Sequence, residues 1–194
     1  MERHYGMFQS NMDGIQDAKE LVKVSYLPET YDLSGQTRPM IDQGNRGICV
    51  SVALGDILTW KSKQANKPVT IHVDYFYNKR VDKKLDGMTP REAVEIATKD
   101  FGTRVYAKIQ DIETLKKSII SNGPCMICLP VRSTDNQFWK GNQNFGGHAI
   151  VAVGWTKTGI LIKNSWGWSY GNNGYFELPN EDFKYLYEAW TIIM

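Results

Sequence analysis

Four residues in this chain have types and settings suited to one piece of chemistry. Gln43 and Cys49 bound the segment Asp42-Gln43-Gly44-Asn45-Arg46-Gly47-Ile48-Cys49, His148 stands in Gly146-Gly147-His148-Ala149, and Asn164 stands in Lys163-Asn164-Ser165-Trp166-Gly167. In that order they supply an oxyanion donor, a thiol nucleophile, a general base and a group that orients the base. Thiol-based acyl transfer needs those roles and little else, so no metal and no cofactor is implied.

Each residue has a reason to hold its role. Cys49 attacks; His148 takes the thiol proton and returns one to the leaving amine. Asn164 aims the imidazole by accepting a hydrogen bond from one ring nitrogen, leaving the other to face Cys49. Trp166, two positions on, is expected to cover that bond and keep water from competing for it. The Gln43 amide and the backbone N–H of Cys49 are expected to hold the developing oxyanion. Gly146 and Gly147 would let a substrate backbone pass close to His148. The other histidines, His4 and His72, lie in segments without such context and are expected to be structural or exposed.

The elements that must position these groups are legible in outline. Gly44 and Gly47 make a tight loop. Val50, Ala53, Leu54, Ile57 and Leu58 then recur at helical spacing, so Cys49 opens a mostly buried helix running to about Lys63. A helix start favours an anion, which predicts an easily ionised thiol. Thr89, Pro90 and Glu92 mark a second helix with a capping box, ended by Gly102, with Ala93, Ile96 and Ala97 inward. A third starts at Asp111, turns Ile112, Leu115 and Ile119 inward and stops at Asn122-Gly123. Strands are predicted over 124–131, 147–154, 159–164, 174–178 and 190–193. Helices first and strands second suggest an α+β protein with a helical lobe (about 40–108) carrying Cys49 and a β lobe (about 109–194) carrying His148 and Asn164, with the site between them. Residues 1–26 are polar and weakly periodic and read as an arm on the surface of the body, which spans 27–194.

Bulk properties exclude several other classes. With 194 residues, 42% hydrophobic and 23% charged, the chain can bury a real core. A formal net charge of +2 is too mild to make nucleic acid or an anionic membrane the main partner. No apolar run is long enough to span a bilayer, and Met1-Glu2-Arg3-His4-Tyr5-Gly6 opens no signal peptide, so a cytoplasmic location is expected. The three cysteines, Cys49, Cys125 and Cys128, are too few and odd in number for a disulfide framework. Cys125 and Cys128 form a CxxC, but inside an apolar strand where the two thiols face apart. They are expected to be inert core residues.

The motif blocks resemble those of papain-like cysteine peptidases. Gln43-Gly44 with Cys49 six positions after Gln43, then Gly147-His148-Ala149-Ile150-Val151-Ala152-Val153-Gly154, then Leu161-Ile162-Lys163-Asn164-Ser165-Trp166-Gly167 and Gly171-Asn172-Asn173-Gly174-Tyr175-Phe176, match the family's signatures. The resemblance covers roughly residues 27 to 193. It implies the two-lobed papain fold, a cysteine endopeptidase working on peptide or protein substrates through a thioester, and the roles given above for Cys49, His148, Asn164 and Gln43. It also implies that the main specificity pocket is lined by Met88, Cys128, Gly146 and Ala149, which are apolar and small. An apolar substrate side chain is therefore expected there.

Departures from the family are equally plain. Asn45, Arg46 and Gly47 stand where a cysteine usually precedes the nucleophile, so the usual disulfide of that loop cannot form, and Val50 replaces the usual Trp. His148 follows Cys49 by 99 positions, against approximately 130–150 in the secreted enzymes. These traits resemble the compact, disulfide-free members found in bacteria and their viruses. About 26 residues precede Leu27-Pro28, too few for a long inhibitory propeptide, and the 1–26 arm is expected to cover the cleft in part. A related isopeptidase, amidase or transglutaminase-like enzyme would use the same machinery. A binding module built on an inactive peptidase would have had no need to keep all four groups.

Overall fold

The computed structural model describes residues 5–103 and 105–194; His4 lies outside the described residues. The helical lobe is built on α1 (Cys49–Gln64), with α2 (Tyr75–Lys79) and α3 (Pro90–Phe101) against it. Helix α1 is buried almost all round, its polar residues included. Those polar groups are used: Ser51 Oγ accepts from the amides of Phe76 (3.1 Å) and Tyr77 (3.3 Å), and Thr59 Oγ1 accepts from Ile71 N at 3.2 Å. The loop and short helix packed on α1 are held by α1 itself.

Helix α3 starts and ends where its caps predict. Thr89 Oγ1 accepts from Glu92 N at 3.1 Å, and Gly102 closes it in the left-handed region at φ 66°. The capping box is half-formed, because the Glu92 carboxylate accepts from Val81 N instead. Val94 is buried beside Ala93 and Ala97, and Ile96 is half-buried. Helix α4 (Ile112–Asn122) is capped by Asp111, which accepts from Thr114 N at 2.7 Å.

The β lobe is a seven-stranded antiparallel sheet. Strands β2 (Val105–Lys108), β7 (Glu188–Ile193), β3 (Cys125–Val131), β4 (Gly146–Trp155), β5 (Gly159–Lys163) and β6 (Tyr175–Pro179) lie side by side in that order, and β1 (Tyr31–Asp32) pairs with β4. Helices do not strictly precede strands: β1 comes before α1 and β2 before α4, both too short to show a pattern of their own. Register places Cys128 opposite both Ala149 and Glu188, and Leu129 opposite His148. Helix α1 packs directly on β4, so the elements carrying Cys49 and His148 meet face to face.

The arm departs from expectation. It is not laid on the surface: Met7, Ile15, Ala18 and Val22 are buried. A short 3₁₀ turn (Ala18–Glu20) is capped by Asp17, and Gln16 O accepts from Lys108 N at 2.9 Å. Buried positions spaced that widely leave no helical or strand period to read. Among the described residues no helix is long and apolar enough to cross a membrane.

Candidate active site

Cys49 is the first residue of α1, reached through a loop that the β lobe holds in place. Gln43 N donates to Ser165 O (2.9 Å), Gly167 N donates to Ile41 O (3.0 Å), and Asp42 Oδ1 accepts from Gly44 N (2.9 Å). Gly44 turns the loop at φ 60°. Gly47 is needed for close approach, since a Cβ there would stand 2.2 Å from Asp86 O.

His148 lies near the start of β4 and is fully buried. Its Nε2 is 2.8 Å from Asn164 Oδ1. That oxygen also accepts from Ser165 N at 2.7 Å, which fixes the orientation of the amide. An amide oxygen cannot donate, so Nε2 carries the proton and Nδ1 is the nitrogen on the opposite edge of the ring. Trp166 stacks on the imidazole with centroids 4.6 Å apart and planes 17° apart. Phe138 meets the same ring edge-on at 5.8 Å. Asn164 is buried directly after β5, its backbone N–H donating to Gly174 O at 3.0 Å.

Gln43 is also buried. Its Oε1 accepts from Ser165 Oγ at 2.6 Å, and its Nε2 donates to Arg46 O at 2.9 Å. An unbroken chain of hydrogen bonds therefore runs from Gln43 through Ser165 to Asn164 and His148. Ser165 was not singled out from the sequence, although it stands inside the quoted Asn164-Ser165-Trp166 block.

The sulfur of Cys49 faces the backbone N–H groups of Ala149, Gly6, Val50 and its own residue. The first of these, Ala149, follows His148 directly on β4. Burial is the largest influence on it and pushes the thiol up to about 11, the N–H groups opposing. The sequence pointed to an easily ionised thiol; in this covered arrangement burial outweighs the opposing N–H groups at Cys49.

What shuts it away includes the arm. Met7 N donates to Gly147 O (3.2 Å), Met88 N donates to Gly6 O (2.8 Å), and Phe8 N donates to Met88 O (3.2 Å). The arm thus runs as an extended strand between Gly147 on one wall and Met88 on the other. Tyr5 meets the rings of His148 and Trp166 edge-on at 6.4 and 6.1 Å. The fit is close enough that a Cβ on Gly6 would stand 2.0 Å from Gly47 O, and one on Gly147 would stand 2.4 Å from the Met7 sulfur. Gly146, at φ 117°, lies under Tyr5 O.

Cys128 lies behind this cleft, its ionisation opposed first by burial and then by Glu188 and Cys49. Burial pushes Cys125, on the other face of β3, up to about 12. All three cysteines are free. Glu188 was missed from the sequence. It begins β7, shares a face with Trp190 and Ile192, and accepts from Ser10 N (2.8 Å) and Trp190 Nε1 (2.7 Å). A carboxylate therefore stands beside the small apolar residues expected to line the pocket.

Comparison with known proteins agrees with this geometry. Residues 28–188 match the model of the papain family of cysteine proteases. A cathepsin B-like cysteine proteinase of Caenorhabditis elegans is 35% identical over 92 residues, covering 42% of this chain and 28% of that protein. Papain of Carica papaya is 38% identical over 65 residues, covering 30% of this chain and 19% of that protein. The matched stretches span less than a third of these curated relatives. Among solved structures, xylellain, a cysteine protease from Xylella fastidiosa, superposes with a TM-score of 0.79 at 20% identity, covering 100% of this chain and 98% of that one. A procathepsin B from Trypanosoma congolense gives a TM-score of 0.76 at 15% identity over 97% and 86%. These two establish the two-lobed α+β fold.

Proposed function

The chain belongs to the papain family of cysteine proteases, and from that premise we propose that it is a cysteine endopeptidase, held in this structure in a covered state by its own arm. The observation that carries the reading is the bond from His148 Nε2 to Asn164 Oδ1 at 2.8 Å under the stacked ring of Trp166, on a strand against which the helix that Cys49 opens is packed. In the reaction, Nδ1 of His148 takes the Cys49 proton as the sulfur attacks a peptide carbonyl. The backbone N–H of Cys49 and the Gln43 amide stabilise the oxyanion. His148 then protonates the leaving amine, and water, activated by the same imidazole, hydrolyses the thioester.

The seating of the arm supports covering without cutting. Gly6 presents its N–H to the sulfur, while its carbonyl is engaged by Met88 N and the Tyr5 carbonyl oxygen lies over Gly146. The substrate is a peptide or protein, and Met88 and Gly147, with Met7 between them, favour an apolar side chain. Three free thiols suit a reducing compartment, which supports action in the cytoplasm.

A proteome-wide cleavage profile, compared with a Cys49→Ser control, tests the reading. Cleavage sites that vanish in the control support it; identical profiles overturn it.

A further inference from the structure

Beneath the site lies a group of charges that the chemistry does not use. Arg38 Nε donates to Asp56 Oδ1, and Lys163 Nζ reaches Asp56 Oδ2 at 2.8 Å. Lys163 Nζ also donates to Arg38 O at 2.8 Å. The Arg38 guanidinium donates further to Ile71 O (2.6 Å) and Val52 O (3.1 Å). Exposure is 7% for Arg38, 4% for Asp56 and 2% for Lys163, so all three charges are out of water. Burial lowers the pKa of Lys163, and Asp56 works against that.

Such a group is an expensive way to fill a core. Apolar residues of similar volume are often as stable or more so. The placement of these charges gives them another use. Asp56 lies on α1, seven residues and two turns beyond Cys49, or about 10 Å along the axis. Lys163 ends β5 and immediately precedes Asn164. Arg38 precedes the loop that carries Gln43. Each member is tied along the chain to a different residue of the site, and Asp56 joins the other two with separate oxygens.

We propose that Arg38, Asp56 and Lys163 are positioning residues, a buried clamp that sets α1 against the end of β5 so that Cys49 and the Asn164-oriented imidazole keep their register across the lobes. This rests on the peptidase reading for its purpose, but its geometry is measurable without turnover. A directional link through both carboxylate oxygens fixes how far α1 can slide or rotate over the sheet; apolar packing alone would tolerate more movement. A misplacement of about 1 Å between reacting groups costs roughly 100-fold in rate.

The test is solvent exchange of the His148 Nε2 proton, followed by NMR in the full chain, with the Ile127 amide in mid-β3, paired with Ile150 and Ala189, as internal reference. The triple variant Arg38→Met, Asp56→Leu, Lys163→Met keeps the volume and removes the charges. It is expected to exchange the His148 proton about 10-fold faster or more, with Ile127 unchanged. If the triple variant does not fold, Asp56→Asn supplies the same comparison. Acceleration of both protons together, or of neither, in the folded variant overturns the proposal, since a merely stabilising role would act on the whole sheet. Because this readout needs no hydrolysis, a chain that cuts no peptide contradicts the function proposed above and leaves the clamp to be judged on exchange alone.

Discussion

Ser165 Oγ donates to Gln43 Oε1 at 2.6 Å. Through this bond the loop that leads to Cys49 is fastened to the residue next to Asn164, so Gln43 and Asn164 share one anchor. Ser165→Ala leaves the Gln43 carbonyl oxygen buried without that donor. The expected result is a fall in kcat of about 10-fold with KM little changed, because the contact aims groups used only in the transition state. Steady-state kinetics on a fluorogenic peptide check it, and an equal rise in KM would contradict it.

Gly6→Ala should open the cleft. The added Cβ would stand 2.0 Å from the Gly47 carbonyl oxygen, which is backbone and cannot turn aside. The arm must lift. Alkylation of Cys49 by iodoacetamide at pH 7 is expected to rise at least about 10-fold, and peptide hydrolysis with it, an amount equal to ~1.4 kcal/mol of lost arm binding. Unchanged alkylation and turnover would remove the arm from any part in restraint.

The pH dependence of the same alkylation carries a definite sign. The thiolate is the reactive form, and burial holds the covered thiol at about 11. In the parent chain the rate should climb about tenfold per pH unit all the way toward that value. In Gly6→Ala water reaches the sulfur, the N–H groups of Ala149 and Val50 remain, and the profile moves to lower pH. Cys125, held near 12 by burial, should stay unmodified in both. Coincident profiles for the two chains would contradict the assignment of the shift to covering.

Gln43→Ala, made in the Gly6→Ala background, removes a side-chain donor from the oxyanion site. A loss of about 10²–10³ in kcat is expected. A smaller loss, near twofold, would show that its bond to Arg46 O persists during turnover and that the amide takes no part.

Pocket preference is open to a peptide library. The walls that hold Met7 predict selection of Met or Leu over charged residues. A library that selects Arg instead would assign the decisive role to Glu188, the carboxylate beside Cys128.

Much of the architecture was legible because local chemistry dictates it. Thr89, Asp111 and Gly102 end helices through bonds within a few residues of themselves, and the apolar runs of β3, β4 and β5 can only be interior strands. What could not be read depends on distant partners. Helix α2 is five residues long and is held by Ser51 on another element. Glu92 abandons its own helix cap for Val81. At the site, Gln43, Cys49, His148 and Asn164 were visible through their flanking residues. Tyr5, Gly6 and Met7 carry no pattern that points to a cleft, and Glu188 is marked only by its place on the inward face of the last strand.

The most direct test is the intact mass of the Gly6→Ala chain quenched in acid during turnover of a peptide ester. An added acyl mass is expected that maps to Cys49, is discharged by hydroxylamine, and is absent in Cys49→Ala. Turnover that persists in Cys49→Ala, or an acyl group found on any other residue, would contradict it.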